Sequence, residues 1–204
     1  MTSIITGDII NSRNISSEKW LDVVKSVFTQ YGETPKSWEI FRGDSFQLET
    51  KASEALKACL LIKSNIKCIT DIDVRLAIGL GNKSYHSDKI TEANGEAFIN
   101  SGFAFDNLLK KQNLAIKSPW QNLDDEFNIA FALSLYIMDN WTTTSAEFVK
   151  VSLEKPNLTQ REIGEILNVS QAGISKTNKR AGLHEILRLE KRFYQTTHQI
   201  ITTL

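Results

Sequence analysis

Two aspartates, each directly after a glycine, are the strongest candidates for a functional site in this sequence. Gly7-Asp8 lies in the apolar run Ile4–Asn11, and Gly43-Asp44 lies between two short runs with alternating apolar residues in Glu39–Glu49. The first run predicts a buried strand, and the second predicts a β-hairpin whose tight turn needs Gly43 and presents the carboxylate of Asp44. Two such strands would bring both carboxylates to one edge of a sheet. Many proteins hold Mg²⁺ and a nucleoside triphosphate in this way.

Each aspartate also has a plain structural interpretation. Asp8 would cap the loop after its strand, and Asp44 would be an ordinary turn residue. Arg75 favours the functional interpretation because it is predicted on a neighbouring strand. The hypothesis is that the first two-thirds of the chain is built around Asp8 and Asp44.

The elements that would position the pair follow the order β-α-β-β-α-β. An amphipathic helix follows the first strand, a second helix begins near Lys51 after the hairpin, and Asp73–Gly81 is the next predicted strand. This order is the signature of a ferredoxin-like, palm-type sheet with helices on one face. A third helix from Glu96 and a short strand near Asn113 complete an α+β domain that is predicted to cover residues 1–120.

A second pattern, at residues 159–181, is the most specific local signal in the chain. Thr159 is predicted to cap a short helix with Glu162 as its capping-box partner, Asn168 to occupy a turn, and Ser170 to cap a second helix. Spacing and residue types together match a DNA-binding helix-turn-helix. The alternative is a helical hairpin that serves only packing or protein contact.

The second helix of this motif lies in an all-α domain that is predicted to cover residues 121–204. Such motifs send the N-terminal residues of this helix into the major groove. The polar residues that are expected to contact DNA are Gln171, Ser175, Lys176, Lys179 and Arg180. Gln171 would read a base edge, and the basic residues would contact phosphates. The amphipathic helix from Leu183 would pack on this domain or, as the alternative, form a homodimer.

The formal net charge of the 204 residues is zero, but the charge is unevenly distributed. The segment Lys155–Arg192 contains eight basic and four acidic residues, a balance of +4, whereas the rest of the chain contains 16 basic and 20 acidic residues, a balance of −4. A basic segment on a mildly acidic protein indicates a partner for that segment, with nucleic acid as the first candidate.

The composition is that of an ordinary globular protein, with 41% hydrophobic and 24% charged residues. No N-terminal signal peptide is recognisable, and the most apolar run, Phe127–Met138, is too short to span a bilayer. The two cysteines, Cys59 and Cys68, have no His or Cys beside them at metal-ligand spacing. We expect reduced thiols and a cytoplasmic protein without a membrane partner.

The same motifs carry a resemblance to known families. The stretches ITGDIINSR, FRGDSFQLE and VRLAIGLG, followed by GEAFINSG, resemble the SatD family of bacterial proteins, and the likeness covers nearly the whole chain, including the helix-turn-helix. More distantly, roughly the first 115 residues are similar to the catalytic palm of class III nucleotidyl cyclases and GGDEF-type synthases. In those enzymes one strand ends in a metal-binding Asp, and a second Asp lies in the hairpin turn.

The palm resemblance implies roles for individual residues. Asp8 and Asp44 would be the metal ligands, with Mg²⁺ as the cofactor, and the backbone at Ile9 and Ile10 would lie near the phosphates. Gly43 and Asn100 complete the implied nucleotide-binding set. The cyclases also use an Arg on the helix after the glycine strand, whereas the matching stretch here, GEAFINSGFAFD, contains no Arg.

The leading hypothesis is a DNA-binding, transcription-regulatory protein whose palm-like domain senses a nucleotide. One alternative is an enzyme, either a metal-dependent nucleotidyltransferase or a nucleotide cyclase. Another is a catalytically inactive palm that serves protein interaction. Incubation with each nucleoside triphosphate and Mg²⁺ or Mn²⁺ separates the sensor from the enzyme. A melting temperature that no nucleotide raises would favour the inactive palm.

Overall fold

A computed structural model describes residues 1–203 of the chain. Within these residues the protein is α+β, with a five-stranded mixed sheet, a two-stranded ribbon and eight α-helices. The N-terminal elements alternate as strand, helix, two strands, helix and strand. They are β1 (Thr2–Ile10), α1 (Glu18–Phe28), β2 (Trp38–Phe41), β3 (Ser45–Thr50), α2 (Ala55–Lys67) and β4 (Asp73–Gly81). The ribbon and the remaining sheet elements are β5 (Lys83–Tyr85), β6 (Asn94–Gly95), α3 (Glu96–Asp106) and β7 (Leu114–Lys117).

The strands of the five-stranded sheet are arranged in the order β2-β3-β1-β4-β7. Central β1 pairs antiparallel with β3 and β4, and β4 pairs parallel with edge strand β7. The register places Asp8 opposite Ser45 on one side and opposite Arg75 on the other. Because β1 runs against its neighbours, its C-terminal end lies at the same sheet edge as the N-terminal ends of β3, β4 and β7. Four chain segments therefore meet near Asp8.

Different helices cover the two faces of the sheet. Ile5 of β1 packs with α1 and α2 in the large core. Its neighbour Ile4 packs with Ala97 of α3, and Thr6 Oγ1 lies 3.0 Å from Ser101 Oγ of α3. Successive strand residues point to opposite faces, so this division follows from the alternation along β1. The predicted placement on one face holds for α1 and α2, whereas α3 lies on the other face.

Helix α3 packs close to β4 because a glycine stands at position 79. A Cβ atom at Gly79 would lie 2.2 Å from both Ala97 O and Ser101 N. The buried residues of α3 are small as well, namely Ala97, Ser101 and Ala104. The contact is thus a close approach of two backbones, the circumstance in which a strand tolerates glycine.

The C-terminal part of the described chain is all helical. Its elements are α4 (Gln121–Met138), α5 (Thr143–Glu154), α6 (Gln160–Leu167), α7 (Gln171–Ala181) and α8 (Leu183–Thr202). Helices α4 and α8 contribute to the same core as α1 and α2, and the rings of Phe127 and Phe193 lie 5.0 Å apart between centroids. Helix α4 begins directly after Trp120. The division into domains at residues 1–120 and 121–204 stays a prediction.

The cysteines and the helices can be compared with the expectations of free thiols and of no membrane-spanning segment. Cys59 is buried, Cys68 is half-buried, and both thiols are free, as predicted. Burial raises the pKa of both thiols, that of Cys68 to about 11, so both are protonated at neutral pH. Over residues 1–203, no helix combines the length and the apolar character that crossing a bilayer requires.

Candidate functional site

The sheet edge at the end of β1 forms one wall of an open cleft of about 710 Å³. This volume lies in the range of roughly 300–1,000 Å³ that is typical of small-ligand sites. The other walls come from the one-turn 3₁₀-helix Ser12–Asn14, the hairpin turn, the start of β4, the segment before β7 and the residue after α4. The charged residues that line the cleft are Asp8, Asp44, Asp139, Arg13, Arg75 and Lys111. Both aspartates that were singled out in the sequence are among them.

Asp8 is paired with an arginine across the β1–β4 ladder. Arg75 Nε donates to Asp8 Oδ1 at 2.9 Å, and Arg75 Nη2 donates to Asp8 Oδ2. This two-pronged contact is the geometry that guanidinium and carboxylate groups favour. The hydrogen bond to Asp8 is the main cause that raises the pKa of Arg75, and the charge of Asp44 acts in the same direction. The guanidinium also lies 5.5 Å from the ring centroid of Phe105.

Asp44 is held at the cleft by the loop that follows β1. Its Oδ2 accepts a hydrogen bond from the Ser12 hydroxyl, and its backbone carbonyl accepts from Ile9 N at 3.2 Å. The turn before Asp44 requires left-handed backbone at Arg42 (φ 52°) and Gly43 (φ 94°). Gly43 adopts this conformation without steric cost, as the sequence predicted for the hairpin. The hairpin thus docks Asp44 against the strand end that carries Asp8.

Two further cations face the cleft without a carboxylate partner of their own. Neither Arg13 nor Lys111 forms an ion pair within the described part of the chain. Lys111 has left-handed backbone (φ 70°), and so does Asn11 (φ 61°), which also lines the cleft. Left-handed backbone is costly for a lysine, and such residues cluster at ligand sites. The cleft therefore offers unpaired positive charge close to its acidic pair.

Asp139, which lines the cleft, belongs to a buried ion cluster. Asp139 Oδ1 accepts from Lys63 Nζ at 2.6 Å, and Asp139 Oδ2 accepts from Asn113 Nδ2 at 3.1 Å. The side chain of Lys63 is only 3% exposed, and its Nζ also lies 2.8 Å from Asp73 Oδ1. Lys67 Nζ donates to the Asp139 carbonyl at 2.8 Å. These contacts fix Asp139, at the end of α4, to α2 and to the start of β4.

The predicted nucleotide-binding residues are divided by the structure. Ile9 and Ile10 line the cleft. Gly43 shapes the hairpin turn and does not line the cleft. Asn100 lies on α3, where its Nδ2 donates to Leu80 O at 2.7 Å, and the structure does not bring it to the cleft. Its amide is used to attach α3 to β4.

Other lining residues were missing from the sequence prediction. They include Ser12, Lys111, Asn113 and Asp139. The last three come from segments that reach the cleft only through the parallel pairing of β7 and the packing of α4. Serine at position 12 follows Asp8 by four residues, but its bond to Asp44 depends on the hairpin docking. Local sequence patterns carry no signal for such contacts.

The oxygen donors of the cleft suit Mg²⁺ in kind. Mg²⁺ is usually held by one or two carboxylates together with water and substrate phosphates. Asp8 and Asp44 provide two carboxylates, and within residues 1–203 no group of three or more His, Cys, Asp or Glu is arranged to hold a metal. Asp8 and Asp44 thus supply oxygen ligands of the kind and number that Mg²⁺ usually takes from a protein.

The α6–turn–α7 segment has the local geometry that its sequence predicts. Thr159 and Glu162 form the reciprocal capping box, and Asn168 has left-handed backbone (φ 54°, ψ 42°) in the turn. Ser170 Oγ caps α7 by accepting from Gly173 N at 3.3 Å. A Cβ atom at Gly164 would lie 2.9 Å from Val169 O in the turn and 3.0 Å from Ile174 Cγ1 of α7, so glycine permits α6 to approach both closely.

Helix α7 is anchored on one side and exposed on the other. Its buried residues are Ile174, Thr177 and Ala181. Gln171, Ser175, Lys176 and Lys179 are exposed, and Gln171, Ser175 and Lys179 follow one another at four-residue spacing along one face. Arg180 differs from the other predicted DNA contacts, because its Nε donates to Ser145 Oγ of α5 at 3.1 Å. Trp141 Nε1 donates to the Ala181 carbonyl at 2.9 Å and holds the end of the helix.

Comparison with known proteins agrees with the motifs. No curated protein and no solved structure matches the chain. The model of the SatD family matches residues 2–197, which is almost the entire sequence. The chain therefore belongs to the SatD family.

Proposed function

We propose that this protein is a DNA-binding regulator in which the N-terminal cleft binds a nucleotide together with Mg²⁺ and α7 contacts DNA. The observation that carries the proposal is the meeting of Asp8, Asp44 and Arg75 at one cleft, with Arg13 and Lys111 beside them. Carboxylates can hold Mg²⁺, and neighbouring arginine and lysine side chains can hold phosphates. A Mg²⁺-bound nucleoside triphosphate needs both kinds of group.

The strand arrangement supports a palm-type origin of the cleft. The first six elements follow the order β-α-β-β-α-β, and the four strands among them lie as β2-β3-β1-β4 with antiparallel pairing throughout. We assign this unit to the ferredoxin-like palm class. In this assignment Asp8 at the end of a central strand and Asp44 in the adjacent hairpin turn are the paired acids.

Each cleft residue has a distinct task in nucleotide binding. Asp8 and Asp44 would hold Mg²⁺, which when bound neutralises phosphate charge and orients the triphosphate. Arg13 and Lys111 would contact phosphate oxygens directly, because neither forms an ion pair with a carboxylate of residues 1–203. The backbone at Ile9 and Ile10 lies on the same wall. Asp139 accepts hydrogen bonds at the far end, where it would receive a ligand N–H or O–H group.

The exposed face of α7 supports the DNA-binding half of the proposal. Gln171 lies at the start of the helix, where it would reach base edges in the major groove. Lys176 and Lys179 would contact phosphates. Arg180 contributes by holding α7 against α5 through Ser145, so we assign it a positioning role. Ser175 lies between the two sets on the same face.

A titration of labelled DNA with the full chain tests this interface. Replacing Lys176 and Lys179 by alanine is expected to weaken binding at least about tenfold and to lower the slope of log affinity against log salt by about two. The matched control replaces Lys19 and Lys25 of α1, which are exposed and change the net charge equally. Equal losses in both double variants would contradict the assignment of the interface to α7.

A second candidate function is nucleotidyl transfer in the same cleft. Arg75 favours it, because a cation beside the acid pair is the kind of group that stabilises charge on a reacting phosphoryl group. Incubation with each nucleoside triphosphate and Mg²⁺ or Mn²⁺, followed by separation of the products, distinguishes the two functions. A product whose formation is abolished in Asp44→Ala would establish the enzyme and overturn the sensor.

A further inference from the structure

We propose that Arg75 and the divalent cation compete for Asp8 in the cleft, and that Arg75 transfers to the ligand's phosphates when the cation binds Asp8. The inference rests on the proposed nucleotide site and adds to it the order of events. The starting observation is that both oxygens of Asp8 accept hydrogen bonds from the Arg75 guanidinium. Asp44, the other acid, is bonded to Ser12.

The two positive groups compete for the same carboxylate. Mg²⁺ binds carboxylate oxygens at about 2.1 Å and requires near-octahedral geometry. A guanidinium that is bonded to both Asp8 oxygens takes two of the roughly four acceptor sites of the carboxylate, neutralises its charge and repels an approaching cation. A divalent cation on its own therefore binds poorly, since it must displace Arg75 without giving that side chain another anion.

A triphosphate removes this obstacle. The Arg75 side chain is 46% exposed, lines the cleft and is supported from the side by the ring of Phe105. Released from Asp8, its guanidinium can bond phosphate oxygens in the two-pronged manner that it uses on the carboxylate. The phosphates of a cation–triphosphate complex replace the lost partner within the same cleft. Arg75 exchanges one anion for another and is never left unpaired.

The exchange makes cation and triphosphate binding mutually dependent. Each component increases the affinity for the other, and the two coupling factors must be equal. The consequence for Arg75→Gln is a pair of opposite effects. Loss of the guanidinium frees Asp8, so the affinity for the cation alone rises about tenfold, as expected for the loss of a hydrogen-bonded charged competitor. The affinity for the cation–triphosphate complex falls by a similar factor.

Equilibrium dialysis of the full chain measures both effects with probes that have no base. Mn²⁺ alone and Mn²⁺ with inorganic triphosphate are the two ligands, and the excess of each on the protein side gives its affinity. Arg75→Gln is expected to bind Mn²⁺ more tightly than wild type and Mn²⁺–triphosphate more weakly. Arg75→Lys keeps a charge on Asp8, so its Mn²⁺ affinity stays near wild type while its triphosphate affinity falls, because lysine lacks the planar fork.

Arg192→Gln is the matched control. Arg192 Nε donates to Glu126 at 3.0 Å on the surface, so its removal also frees one carboxylate, outside the cleft. Both affinities are expected to remain at wild-type values in this variant. Thermal melting of all variants verifies that each is folded before dialysis.

The outcomes separate this inference from the proposed function. If wild type binds Mn²⁺–triphosphate and Asp44→Ala does not, the site stands. Effects of Arg75→Gln that have the same sign for both ligands, or no rise in Mn²⁺ affinity, would then overturn the exchange alone. Wild-type protein that binds neither probe overturns the exchange and the proposed site together.

Discussion

Both oxygens of Asp8 accept hydrogen bonds from Arg75, and both residues line the cleft. An isolated pair of aspartates would attract cations and repel phosphates. With one acid neutralised by Arg75, and with Arg13 and Lys111 also lining it, the same cleft would accept anionic ligands. At the residue scale the site therefore suits a ligand that brings both signs of charge, such as a metal-bound triphosphate.

Lys111 offers a test that separates binding from stability. Its left-handed backbone suits glycine, so Lys111→Gly is expected to leave the free energy of unfolding unchanged or to raise it by up to about 1 kcal/mol. The same change removes a cleft cation and should weaken Mn²⁺–triphosphate binding several-fold. Urea denaturation and dialysis measure the two quantities. Lys110→Gly, at a neighbouring lysine that does not line the cleft, should leave the affinity unchanged. A clear loss of stability in Lys111→Gly would contradict this account.

Lys63 offers a second test, of the buried cluster behind the cleft. Lys63→Met leaves Asp73 and Asp139 without their buried cation and is expected to reduce the free energy of unfolding by about 3 kcal/mol. The value lies at the low end for a buried pair because Lys67 remains 3.4 Å from Asp73. The exposed pair Lys51–Glu54 provides the control, since Lys51→Met should change stability by less than about 0.5 kcal/mol. If the two changes reduced the free energy of unfolding equally in urea denaturation, the buried cluster would stabilise the protein no more than an exposed ion pair does.

Part of the site could be predicted from single residues and part could not. Asp8 and Asp44 were recognisable because each follows a glycine at the end of an apolar run. The partnership of Asp8 with Arg75 depends on the β1–β4 register, which places residues 67 positions apart opposite each other. Lys111 and Asp139 reach the cleft through β7 and α4, and no local pattern encodes that packing. Asn100, which the sequence assigned to the nucleotide, instead donates its amide N–H to Leu80 O in the structure and does not line the cleft.

At the scale of elements, local chemistry predicted caps and turns well. The capping box of α6, the left-handed Asn168 and the Ser170 cap of α7 each depend on residues within four positions. Helix α3 was harder, because its buried residues are small whereas Ile99 and Phe103 are exposed. An apolar pattern of this kind does not indicate which face of the sheet a helix covers.

The turn between α6 and α7 provides a prediction at this scale. Asn168 is exposed and left-handed, so Asn168→Gly should keep the stability of the protein. Asn168→Ala should reduce the free energy of unfolding by about 1 kcal/mol, because alanine pays the full steric cost of that backbone. Thermal unfolding of the two variants gives the comparison. Equal stability of the alanine and glycine variants would imply that the turn relaxes to another conformation.

At the scale of the whole molecule, the cleft and α7 are connected by a short stretch of chain. Asp139 lines the cleft, and Trp141, two residues later, donates its indole N–H to the carbonyl at the end of α7. The buried residues of α7 and of the other C-terminal helices belong to the same hydrophobic core as the sheet. A ligand that moves Asp139 would therefore shift Trp141 and the position of α7. We expect this path to couple the two sites.

The proposed coupling also predicts the effect of replacing Trp141. Trp141→Phe leaves the Ala181 carbonyl without its donor and is expected to destabilise the protein by about 1–3 kcal/mol. Both nucleotide and DNA binding should persist in this variant, since neither surface is changed. The ligand's effect on DNA affinity should shrink, as anisotropy titrations with and without ligand would show. If the ligand's effect on DNA affinity were undiminished in this variant, the coupling would not pass through Trp141.

The central claim is that one chain binds a nucleotide in the cleft and DNA through α7, with the first controlling the second. Fluorescence anisotropy of labelled DNA, titrated with full-length protein at fixed salt, tests it with each Mg²⁺–nucleoside triphosphate in turn. At least one nucleotide is expected to change the DNA affinity of wild type by about fivefold or more. The same nucleotide should have no effect in Asp44→Ala, which retains DNA binding. DNA affinity that no nucleotide alters, or an equal change in Asp44→Ala, would contradict the account.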